Sequence, residues 1–295
     1  MDIAATRLQI PSKQASSGLS ALVGIFVIAV LIGLLYAQIL PDLASEWWTQ
    51  SEASYGLLIP PMAFYIAYMR RKTTFACPVQ PDLWGLGLTS LGCLVLLSGE
   101  LASEFYLARV SIVILLAGLI WTFWGRARLR TLGFPLVLLA TMVPLPALVY
   151  NALAAPLQLF ASTIATDLAQ ALGVSIYRDG NIIHLAGTSL GVAEACSGLH
   201  SLSALIIGSL LLGFLENASM IGRILLLILA IPLAIAVNVL RVTGTAILAD
   251  YKPELAEGFY HSFSGWLVFV LGFGFLWLLG KLIFRLTRLS AGRAQ

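Results

Sequence analysis

A series of apolar stretches, each approaching or exceeding the length needed to cross a bilayer, constrains this chain more than any other feature. A helix crosses the hydrocarbon core in roughly 20 residues. Runs of that kind occupy about 19–40, 56–69, 83–99, 105–124, 132–149, 198–215, 222–247 and 263–284. The second is short and needs Ser54–Tyr55 and the snorkelling side chains of Arg70 and Arg71 to extend it. The fifth contains Pro135, Pro144 and Pro146, which leaves it open to a kink or a re-entrant path. Composition agrees with the runs: 11% of the 295 residues are charged, against about 25% in a soluble domain. The mean hydropathy is +0.94. The expected fold class is therefore an all-α polytopic integral membrane protein, a single domain over 1–295 with about eight transmembrane helices. Arg7 and Lys13 precede the first run, but its length exceeds the 7–15 residues of a signal-peptide core. It is expected to be a permanent anchor.

The basic residues set the expected orientation, because cytoplasmic loops are enriched in Lys and Arg. With the N-terminus inside and eight alternating spans, only Arg109, Arg178, Arg241 and Lys252 of the 17 basic residues fall outside. Both termini are then cytoplasmic. A net charge of +3 gives no global case for binding nucleic acid. Cys77 falls on the cytoplasmic side and Cys93 within a span, so Cys196 is the one outward-facing thiol, with no obvious disulfide partner.

One sizeable extramembrane segment is expected, at 150–197. Leu153, Leu157, Phe160, Ile164, Leu168 and Leu172 recur at helical spacing, opposite Gln158, Ser162, Thr163, Asp167 and Gln170. That pattern reads as an amphipathic helix lying along the outer interface and ending at Gly173. Two β-prone runs then flank Asp179-Gly180, a strong hairpin signal. Interfacial helix and hairpin together form a small extracytoplasmic cap leading to Cys196.

Three side chains at the outer ends of different spans carry candidate chemistry. Cys196, followed by Ser197 and Gly198, opens a helix, where the macrodipole and free N–H groups favour a thiolate. The same thiol also suits a crowded helix start as a small packing residue. Arg241, in AVNVLRVTGT with Asn238 one turn earlier, sits in a transmembrane segment, where a guanidinium is costly and marks a functional site or a snorkelling anchor. His261, in YHSFSGW, opens the last span between the aromatic anchors Tyr260 and Trp266. Thiolate, guanidinium and imidazole complete a set for attack on a carbonyl, stabilisation of the oxyanion and proton exchange. Topology puts all three at one membrane depth.

Other residues compete for these roles. His200 follows Cys196 by four residues on the same helix face, which leaves little room for a peptide between them. His184 alternates with apolar neighbours in the hairpin and reads as structural, and Glu194 as solvated. No HExxH, CxxC or phosphate-cradling glycine loop occurs, so neither a metal nor a cofactor is expected.

With ACSGLHSL (Ala195–Leu202), NVLR (Asn238–Arg241) and HSFSG (His261–Gly265) in this order within such a bundle, the chain resembles the exosortase/archaeosortase family. The resemblance implies a membrane cysteine protease or transpeptidase. Its partners are exported proteins carrying a C-terminal tripartite sorting signal: a Pro-Glu-Pro-like (PEP-CTERM) motif, a hydrophobic span and a basic tail. It assigns Cys196 as nucleophile, Arg241 as the oxyanion or substrate-orienting residue and His261 as general acid/base. The enzyme is expected in the bacterial cytoplasmic membrane, with its site facing outward. Many members carry arginine where this chain has His200. Hydrolysis and transfer to an acceptor remain open. Two rival readings are a multi-span transporter, which needs polar groups along the spans rather than at their outer ends, and a membrane acyltransferase using the same cysteine.

Overall fold

The computed structural model describes residues 14–191, 199–252 and 258–293, with backbone only at 14–22, 51, 258–262, 264 and 288–293. Cys196 and Glu194 therefore lie outside the described residues, and His261 is described by its place in a helix. The architecture is that of an all-α polytopic membrane protein with one small sheet. Its outer surface is apolar to a degree no soluble protein tolerates. Phe64, Trp84, Leu101 and Leu148 are each at least 75% exposed, as lipid-facing side chains are when the chain is viewed without its bilayer.

The elements in order are α1 (Gln14–Leu35), α2 (Ile39–Thr49), a 3-10 turn (Ser51–Leu57), α3 (Ile59–Met69), α4 (Arg71–Ala76), α5 (Trp84–Leu101) and α6 (Phe105–Trp124). Then come α7 (Arg126–Ala140), α8 (Ala147–Ala171), β1 (Ile176–Asp179), β2 (Ile182–Leu185), β3 (Ser189–Gly191), α9 (Leu199–Leu215), α10 (Met220–Tyr251) and α11 (Gly258–Arg293). Among the described residues, five helices or helix segments are long and apolar enough to cross a membrane: α5, α6, α8, α10 and Gly265–Thr287 of α11. A sixth is obtained if the pair Val23–Leu35 and Ile39–Thr49, bent by 63°, counts as one span. At 17 residues, α9 is a shorter apolar helix.

Among the described residues the expected count of eight is not reached, for identifiable reasons. The run at 19–40 breaks after Leu35, where the Tyr36 hydroxyl is buried in a 2.6 Å hydrogen bond with Ser111 Oγ of α6. The run at 56–69 provides only the 11 residues of α3. The run at 132–149 is no single helix: α7 stops at Ala140, and Pro144 and Pro146 keep the chain open until α8 begins at Ala147. The helix expected to lie along the interface is present as a helix but longer, starting at Ala147 rather than near 153. Although α8 passes the length test for a span, its contacts put both ends at one end of the bundle. Tyr150 near its start lines a cavity with the first residues of α9, and Ala165 and Ala169 near its finish pack on Val242 and Ala246 late in α10.

Close backbone approach holds the helix pairs together, as expected where no hydrophobic effect separates helix from lipid. Gly85, Gly92 and Gly99 recur every seventh residue along the buried face of α5. A methyl at Gly92 would lie 2.8 Å from the Leu115 nitrogen of α6. Beyond this seam, Asp82 fixes the entry to α5 by accepting from the Trp84 backbone N–H at 3.0 Å and from Trp121 Nε1 at 2.9 Å.

A second seam joins α10 to α11 in antiparallel register. Gly280 faces Leu226, Gly272 faces Val237 and Gly265 faces Arg241. Leu205 of α9 joins Leu226, Ala230, Ala234 and Leu276 in a fully buried cluster that packs the last three helices together.

The three strands form one antiparallel sheet in the order β1-β2-β3. Asp179 pairs with Ile182, so Gly180 and Asn181 are the two turn residues, and Gly180 takes φ +61°. The expected hairpin is thus present, with its turn one residue later than the Asp179-Gly180 expected because Asp179 belongs to β1, and it gains a third strand. Ile176 and Ile183 point from the sheet into Ala165, Ala169, Val242 and Ala246. The sheet is bolted to α8 and to the final third of α10, and its last residue, Gly191, leads into the segment that carries Cys196.

Candidate active site

Arg241 is the centre of the described part of the site. It is half-buried on α10, next in sequence to Val242, which the sheet covers. Its guanidinium lies flat against α11 at Gly265: a Cβ built there would sit 2.9 Å from Nη2 and 3.0 Å from Cζ and Nε. A hydrogen at this position is therefore what lets the guanidinium cross the neighbouring helix. Asn238, one turn earlier on the same face of α10, is 2% exposed, and its Oδ1 and Arg241 Nε are both buried. With its Nε shielded, the half-buried guanidinium is screened by water less than an exposed one would be.

His261 lies in the first turn of the described α11 and precedes Gly265 by four residues. In a helix that spacing is about one turn. The α10–α11 register thus brings the backbone positions of Arg241 and His261 within a turn of each other. Cys196 lies outside the described residues, and only Ser197 and Gly198 separate it from the start of α9.

His200, in that first turn of α9, lies within electrostatic reach of the Glu52 carboxylate and of the Arg241 guanidinium, which act on its imidazole in opposite senses. The Tyr55 ring stands edge-on to it at 6.4 Å. Tyr55 lines the same cavity as Ser203, which lies one turn deeper on α9. His184 has the structural surroundings expected of it: Nδ1 lies 2.8 Å from Ser189 Oγ of β3, and the ring stacks on Tyr177 at 4.6 Å.

A cavity of about 690 Å³ opens beside His200. Its walls come from α2, the 3-10 turn, the start of α6, the proline-rich break before α8 and the start of α9. The break at Pro144–Pro146 thus makes a cavity wall where a continuous helix would have filled the space. One wall carries the ion pair of Arg109 Nη1 and Glu46 Oε2 at 2.6 Å, with both side chains less than a fifth exposed. Sequence reasoning missed this pair. Its signal was present: Arg109 is one of the few basic residues that the orientation rule leaves outside.

The described site therefore brings Arg241, Gly265, the His261 turn and His200 to one end of the bundle, beside a polar cavity. Such a set can hold a developing oxyanion and move protons next to an adjoining nucleophile. Neither a curated protein nor a solved structure matches the chain. The family model described as transmembrane exosortase matches residues 47–278, a range that takes in Arg241, His261, the cavity and Cys196, and the chain belongs to that family.

Proposed function

We propose that this protein is a cysteine-type peptidase or transpeptidase that cleaves C-terminal sorting signals of exported proteins at the outer face of the membrane. The observation that carries the reading is the seat of Arg241 on Gly265, one turn from His261, at the bundle end where the Cys196 segment enters α9. Family membership supports membrane-embedded action on exported substrates.

In this reading the hydrophobic part of the sorting signal docks against the bundle and brings the scissile bond to the outer interface. The Cys196 thiolate attacks the carbonyl carbon, and Arg241 holds the negative charge that develops on oxygen. The C–N bond breaks, His261 protonates the departing amine, and a thioester remains on Cys196. Water or an acceptor amine then attacks the thioester and restores the thiol. In this reading both termini lie in the cytoplasm, as the distribution of basic residues favours, with the sheet, the cavity and the Cys196 segment outside.

The test is processing of a substrate with a tripartite sorting signal in membranes holding single variants. Cys196→Ala, Arg241→Ala and His261→Gln are each expected to leave full-length substrate while the enzyme accumulates in the membrane. Cleavage retained in Cys196→Ala overturns the reading.

A further inference from the structure

The cavity beside His200 has no part in the acylation step above, yet the thioester route needs a second nucleophile. Its volume of about 690 Å³ is that of a small-molecule site. It is also strongly biased in sign. Among the described residues, Asp42, Glu46, Glu52 and Glu104 line it against the guanidinium of Arg109, which is already paired with Glu46. Asp42, Glu52 and Glu104 thus share the described walls with no Lys or Arg beyond that pair and with His200 as the other basic group, in a partly enclosed space where charge is poorly screened. His200 stands at the junction: it lines the cavity and lies within electrostatic reach of Arg241. A neutral imidazole carries one ring nitrogen that can accept a proton.

Resting on the proposed thioester chemistry, we infer that this cavity is the acceptor subsite and that its ligand is a cationic primary amine, with His200 as the group that takes the amine's proton. The carboxylates draw the ammonium in and Arg241 opposes its charge as it advances, so a proton is lost along the way. The ammonium gives one proton to His200. The free amine attacks the thioester carbon, the C–S bond breaks as the new C–N bond forms, and the second nitrogen proton passes to the departing thiolate. His200 returns its proton to solvent. No oxidant or further reactant is needed.

The experiment reads partition within each protein, so changes in folded fraction or acylation rate cancel. Full-length enzyme in vesicles is given substrate with cadaverine, which is cationic, or hydroxylamine, which is uncharged at neutral pH, and the products are weighed. The cadaverine product is expected to saturate. Its ratio to the hydroxylamine product is expected to fall about tenfold or more in the double variant Glu52→Gln/Glu104→Gln, with Asp42→Asn as a second variant if the first accumulates poorly. A ratio unchanged by both variants, or cadaverine transfer that never saturates, overturns the inference. Vesicles with and without phosphatidylethanolamine separate the sources: a carboxylate-dependent product of lipid mass assigns the amine to a headgroup, and its absence beside the diamine product assigns it to a soluble amine. If the thioester itself does not exist, hydroxylamine gives no product either, which distinguishes failure of the parent reading.

Discussion

The Arg241 guanidinium occupies the space a side chain at Gly265 would take across the α10–α11 seam, with 2.9 Å between Nη2 and the place a Cβ would occupy. Gly265→Ala adds one methyl to that contact and must displace the guanidinium, while Gly274→Ala on the same helix meets open space. Misplacing a catalytic group by about 1 Å costs on the order of 10²-fold in rate. Gly265→Ala is expected to lose substrate processing by about that factor with normal membrane accumulation, and Gly274→Ala to lose none, as measured by immunoblot of substrate cleavage.

The two histidines are separable. His261 is assigned to the leaving amine and His200 to the incoming nucleophile. His261→Gln is expected to block release of the membrane tail. His200→Gln is expected to release it and to fail in transfer to cadaverine, so the ratio of tail release to transfer product distinguishes them. Full loss of tail release in His200→Gln with His261→Gln active reverses the assignment.

Helix packing gives a prediction independent of chemistry. Gly92 meets the Leu115 backbone at 2.8 Å from a would-be Cβ, whereas Gly87 on the same helix faces open space. Overpacking of this kind costs about 1–3 kcal/mol. Gly92→Leu is expected to lower the thermal midpoint of the detergent-solubilised protein by several degrees, and Gly87→Leu to leave it within error.

The Arg109–Glu46 pair forms a wall of the cavity, and both partners are largely buried. Removing one partner of a buried pair strands the other charge, at a cost of about 3–5 kcal/mol when it is fully desolvated and less beside a polar cavity. Arg109→Gln is expected to destabilise the protein more than the double variant Arg109→Gln/Glu46→Gln, a difference a thermal double-mutant cycle measures directly.

Legibility in the sequence followed the range of the forces involved. The cores of α5, α6, α9, α10 and α11 were readable because a lipid-facing helix declares itself by continuous apolar length. The Gly180 turn was readable because a two-residue hairpin demands a residue with positive φ. The bend between α1 and α2 was not, since no proline or glycine lies between Leu35 and Ile39 and the pin at Tyr36 comes from Ser111, far along the chain. β3, with three residues, was too short for a period to show. Arg241 stood out because a guanidinium in a span is expensive. Its seat on Gly265 depends on helix register, which a single sequence does not encode locally. The cavity was invisible for the same reason, although the prolines that open it were flagged as a break.

The central claim is a covalent bond to one sulfur, and the most direct test is the mass of the peptide containing Cys196 after rapid acid quench of enzyme turning over a sorting-signal substrate. The account expects an added mass equal to the substrate portion upstream of the scissile bond, absent in Cys196→Ala. An added mass matching a lipid acyl chain, or continued cleavage by Cys196→Ala with no adduct anywhere, contradicts it.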